Sequence, residues 1–112
     1  MTSTAWTVPI PQERVQEFRD LLADLNKNLS GLAERAREAG YHRERMWLQP
    51  NQDGSARLIV HLELNDGVTP AELVARLRSY DSEFTRWWNP RFESFGFPAS
   101  PGETLLAWSD GA

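Results

Sequence analysis

An α+β domain is what this sequence predicts, and three observations predict it. Apolar residues recur at helical spacing over one long stretch. They alternate with polar residues over short stretches on either side of it, and proline and glycine punctuate the boundaries. At 112 residues the chain has the size of one domain (1–112) with a single core. Its 40% hydrophobic and 25% charged residues make an ordinary globular balance.

Residues 5–10 read as a first strand, with Trp6, Val8 and Ile10 on one parity. Pro9 and Pro11 restrict it to a sheet edge or mark its end, because proline cannot donate to a ladder. Pro11 then opens a helix. Its stripe runs through Val15, Phe18, Leu22, Leu25, Leu29, Leu32 and Ala36, widened by Leu21, and Gly40 ends it. A kink or break is expected at Ser30-Gly31. Residues 41–49 and 57–64 follow as two strands around an Asp53-Gly54 turn. In the second, Leu58, Val60, Leu62 and Leu64 share the parity that faces the helices. Thr69-Pro70-Ala71-Glu72 starts another helix with a cap and a proline at its first position. Asp81-Ser82-Glu83 caps a further helical segment carrying Phe84, Trp87, Trp88, Phe92 and Phe95, which Asn89-Pro90 should bend or end. Residues 104–108 read as the last strand.

The order is therefore βαββαβ. That is ferredoxin-like, a four-stranded antiparallel sheet with helices on one face. The other face would leave Ile59 and tryptophan against water, so a homodimer through the open sheet face is expected, closing a dimeric α+β barrel.

Several function classes are excluded or disfavoured. Without cysteine there are no disulfides, thiolate catalysis or Cys-based metal sites, and His42 and His61 have no metal-ligand spacing. A net charge of −4 does not suit nucleic-acid binding, which rests on phosphate neutralisation. No apolar run approaches the ~20 residues of a membrane span, and Met1 to Ala5 show no signal-peptide pattern. The cytoplasm is the expected compartment, and no cofactor is implied.

The stretch Arg43-Glu44-Arg45-Met46-Trp47-Leu48-Gln49, the aliphatic strand ending in Glu63, and the segment from Tyr80 to Trp88 together resemble a family of small bacterial proteins of unknown function. That family carries a charged strand ending in Leu-Gln and a Ser-Asp-x-Pro-Phe-x-x-Trp-like helix; Glu83 stands here at the proline. The resemblance spans most of residues 13–97 and implies a ferredoxin-like fold. At the level of architecture the chain is also similar to dimeric α+β barrel enzymes: polyketide cyclases, cofactor-independent quinone-forming monooxygenases, muconolactone-type isomerases and haem-degrading monooxygenases. No catalytic residue is carried over from them.

The hairpin register decides which residues share a face with His61. A loop of residues 51–55 sets Arg43 opposite Glu63, Arg45 opposite His61 and Trp47 opposite Ile59. A one-residue slip would instead press Arg43 and Arg45 into the core unpaired, so the first register is expected. The open face then presents His61 as general acid/base and Arg45 as holder of an enolate or carboxylate. Trp47, Ile59, Glu63, Arg43, Tyr80 and Trp88 would contact the substrate or wall the cavity. The bland alternative makes Arg43–Glu63 a cross-strand ion pair and His61 an interface residue; His42 reads as a solvated residue at a strand start. Cofactor-independent proton transfer on a small aromatic or polyketide-like ligand, as in a cyclase or isomerase, is the leading expectation. A non-catalytic ligand-binding or dimerisation module and a cofactor-free or haem-dependent monooxygenase stand beside it.

Overall fold

The computed structural model describes residues 2–96 and 102–110. Strand β1 (Thr2–Ile10) leads through a short 3-10 turn, Gln12–Arg14, into α1 (Val15–Leu25) and α2 (Leu29–Ala39). The hairpin β2 (Tyr41–Pro50) and β3 (Ala56–Leu64) follows, then α3 (Pro70–Ser79) and α4 (Glu83–Glu93). The sheet has three strands in the order β1-β3-β2, with β3 antiparallel to both neighbours. The parallel pair β1 and β2 is joined by the crossover α1–α2, as a parallel connection requires.

Alternation sets the two faces. Leu58, Val60, Leu62 and Leu64 of β3 are buried with Val8 and Ile10 of β1, against Phe18, Leu21, Leu25, Leu73, Phe84 and Trp88 from the helices. The opposite parity, Ile59, His61 and Glu63, is only half-buried.

The fourth strand is not formed. Residues 102–110 have no regular secondary structure, and one backbone hydrogen bond, from Gly102 N to Ala5 O at 2.8 Å, ties them to the sheet. The expected four-stranded ferredoxin-like sheet is thus corrected to a three-stranded one, and the closed dimeric α+β barrel built from it falls too. The physical reason lies in the pattern. Leu105 and Leu106 are adjacent, so a strand would send them to opposite faces. They are 87% and 84% exposed, and no buried face rewards the ladder.

The first helical region is also interrupted elsewhere than expected. The break falls at residues 26–28, before Ser30-Gly31. The Asn26 side chain donates to Leu22 O at 2.9 Å, while Lys27 N and Asn28 N make short-range bonds to Asp24 O and Leu25 O. Side-chain amides compete with the helix in this way, and 3-10-type bonds tighten its last turn. Gly31 lies inside α2 because that helix crosses Phe84 closely: a Cβ there would stand 2.7 Å from Phe84 Cβ. Gly31→Ala is expected to destabilise the protein in urea unfolding by about 1 kcal/mol or more. Overpacking costs of ~1–3 kcal/mol exceed the gain in helix propensity. An unchanged or raised midpoint would show that Phe84 moves aside freely.

Helix α4 passes through Pro90 instead of ending at Asn89, but by less than a turn, since Glu93 is its last residue. Its start is as expected, with Ser82 and Thr85 forming a reciprocal capping box. Thr69 likewise caps α3 by accepting from Glu72 N.

Candidate functional site

The uncovered face of the sheet is built by the hairpin. Asn51 N donates to Ser55 O at 2.8 Å, and the Asp53 carboxylate accepts from Ser55 N and Ser55 Oγ at 2.9 and 2.6 Å. Those Ser55 hydrogen bonds hold the Asp53 carboxyl below its usual range. Gly54 takes φ +89°, which closes the loop. The register is the expected one, with Arg43 opposite Glu63, Arg45 opposite His61 and Trp47 opposite Ile59. On the other side of β3, Ser3, Ala5 and Thr7 of β1 stand opposite Glu63, His61 and Ile59.

Two neighbourhoods share this face. At one end a bulge inserts His42 between Tyr41 and Arg43. The bulge turns His42, which stays exposed, toward Glu63 (Nε2–Oε2 3.5 Å) and Asn65 (Nδ1–Oδ1 3.0 Å). Arg43 Nε lies 3.7 Å from the same Glu63 oxygen. In the middle, the His61 ring lies 6.4 Å from Trp47, tilted by 49°. Its Nδ1 is buried and has no hydrogen-bond partner among the described residues. Among the described residues no ion pair engages Arg45 or Arg57.

Trp47 also walls a cavity of about 380 Å³ between α1 and the edge strand β2, with Phe18, Arg19, Leu22, Asn26 and Met46. That size falls within the range of small-molecule sites.

Two of the expected site residues are elsewhere. Trp88 is in the helix-side core, 2% exposed, stacked between Phe84 and Phe92 with ring centroids 6.3 and 5.1 Å away. The α4 stripe that holds Phe84 buried takes it there. Tyr80 ends α3 and donates to Glu34 of α2 at 2.6 Å, in the helical layer. Neither joins His61.

Sequence reasoning missed a polar cluster on the covered face. Arg35 Nε donates to the Tyr41 hydroxyl at 3.2 Å, Arg35 Nη2 to Glu44 Oε1 at 3.2 Å, and Tyr41 OH to the same carboxylate oxygen at 2.9 Å. The Arg35 and Glu44 side chains are 9% and 8% exposed, and the guanidinium sits 5.4 Å from the Phe84 ring. Burial, then the Glu44 carboxylate, pushes the Tyr41 phenol well above its usual range. Burial opposes the Arg35 charge, yet Glu44 and Tyr41 outweigh it and leave the guanidinium more firmly protonated. The signal was available: Glu44 has the parity of Met46 and Leu48, so a helix-facing carboxylate had to find a cation. The cluster is closed to substrate and serves packing.

Comparison with protein-family models, with curated proteins and with solved structures finds no match. Among the described residues no helix is long and apolar enough to cross a membrane, and no three His, Asp or Glu side chains gather as a metal site.

Proposed function

We propose that the uncovered sheet face pairs two copies of this chain and binds a small aromatic anion, with His61 as proton donor, Arg45 as counter-charge and Trp47 as wall. The observation that carries this reading is the buried, unpartnered Nδ1 of His61. In its protonated form His61 gives a proton to a carbonyl or enolate oxygen of the ligand and is left neutral, while Arg45, opposite it in the register and without an ion pair among the described residues, holds the ligand's negative charge. This is cofactor-independent proton-transfer chemistry of the cyclase or isomerase kind.

Hydroxylated aromatic carboxylates are the probes to use. They should quench tryptophan fluorescence saturably in the wild type, and Arg45→Ala should weaken binding at least tenfold. Absence of binding, or equal binding by Arg45→Ala, overturns the ligand assignment. The pairing of Glu63 with both Arg43 and His42 favours a second reading, a dimerisation module without chemistry, in which the wild type is dimeric yet binds none of these probes.

The dimer itself rests on Ile59 and Trp47, the latter 47% exposed in the single chain. Light scattering of the wild type should give twice the 12.8 kDa chain mass. Ile59→Asp should return the chain mass, because an unpaired charge enters an apolar contact. A wild-type monomer at micromolar concentration would remove the dimer.

A further inference from the structure

Residues 102–110 carry the largest unexplained apolar exposure among the described residues. Leu105, Leu106 and Trp108 are 87%, 84% and 80% exposed, well above Trp47 or Leu29. Solvated chain of this kind normally spends polar residues, and three large apolar side chains within four positions call for a surface to cover them. We propose that this segment is an arm that crosses to a second copy of the chain and lies over that copy's uncovered sheet face; the proposal rests on the dimer proposed above.

Three observations specify the occupant. The arm starts at the rim of the face it would complement, because Gly102 N is bonded to Ala5 O on β1, whose outer edge bears no other strand among the described residues. In a twofold pair each arm would meet the other copy's face in the same way, so one contact would be made twice. Reach is sufficient: residues 102–110, extended, span up to about 30 Å, whereas three strands at ~4.8 Å spacing cover roughly 10 Å. Charge is complementary as well. The arm's sequence has Glu103 and no basic residue, while Arg57 on the sheet face has no ion pair among the described residues. Trp47 and Ile59 supply the apolar part of that face for Leu105, Leu106 and Trp108.

The absence of cysteine makes the test direct. Ala107→Cys places a thiol on the arm, and Gln49→Cys places one on β2, the strand farthest from the arm's own anchor. The two single variants are mixed and oxidised, with Glu38→Cys on α2 replacing Gln49→Cys as the collision control. The expected result is a mixed disulfide for Ala107→Cys with Gln49→Cys in several-fold excess over the control. In parallel, Leu105→Asp with Trp108→Asp should raise the dimer dissociation constant at least tenfold while leaving the circular dichroism unchanged. A wild-type dimer that shows no excess disulfide, and whose affinity survives the double substitution, overturns the arm and leaves the dimer standing. A wild-type monomer overturns both. Binding of the wild type to phosphatidylcholine vesicles, lost in the double variant while the dimer is unaffected, would assign the arm to a membrane and also overturn the proposal.

Discussion

Glu44→Ala is expected to destabilise the protein by about 3–5 kcal/mol, the cost of leaving one partner of a buried pair charged and alone. The Arg35 guanidinium would remain under Phe84 with the Tyr41 hydroxyl as its remaining described partner. For a domain near this size each kcal/mol shifts the melting temperature by roughly 4–8 °C, so a fall of more than ~12 °C should be seen. Arg35→Met combined with Glu44→Met should recover most of that loss, because replacing both partners by apolar groups removes the desolvation cost along with the attraction. A single-variant loss below ~1 kcal/mol would place the pair in the range of solvated ion pairs.

The same cluster sets an alkaline limit. Tyr41 is an acid whose folded pKa is raised, so its contribution to stability is complete below the unfolded phenol value near 10. That contribution is lost as pH rises from there toward the folded value. Urea midpoints should therefore fall above about pH 10, more steeply in the wild type than in Tyr41→Phe. The half-buried Tyr80, also raised through its bond to Glu34, is common to both proteins and cancels in the comparison.

The second large effect concerns chemistry. With a phenolic or polyketide-like substrate, His61→Ala should lower kcat by ~10²–10⁴-fold, the usual span of general acid–base contributions. The substitution removes a half-buried ring from the uncovered face, and the core side of β3 is unaffected, so the helical signal should hold. Arg45→Ala should act mainly on KM if the arginine binds the ground-state anion, and equally on kcat if it meets charge that develops in the transition state. A His61→Ala protein that turns over substrate at the wild-type rate would move the chemistry to the arginines or to the cavity behind Trp47.

Much of this was legible from residue types alone. The period-two pattern of β3 identified which side chains go under the helices and which do not. The five-residue turn formers then fixed the register that brings Arg45 and Trp47 alongside His61 and Ile59. Thr69-Pro70 and Ser82 marked the starts of α3 and α4, since capping is a local matter of one side chain and one backbone N–H. Gly40 marked the end of α2: its φ is +94°, and a Cβ there would meet Val68.

Contacts between distant segments decided the remainder. Whether residues 104–108 became a strand depended on a ladder partner and a buried face, and no periodicity within the segment reports on either. Gly31 reads as a helix breaker until Phe84, brought from α4, gives it a packing reason. Trp88 was assigned to the site by its ring and removed from it by its neighbours Phe84 and Phe92. Arg35, Tyr41 and Glu44 looked like one more charged helix residue and a strand start; only the crossing of α2 over β2 brings them together away from water. Sequence by itself determined the faces, the caps and the register, because each depends on alternation or on hydrogen bonds across a few residues. Tertiary structure alone decided the number of strands, the buried ion pair and the membership of the site, because each depends on which surfaces exclude water from one another.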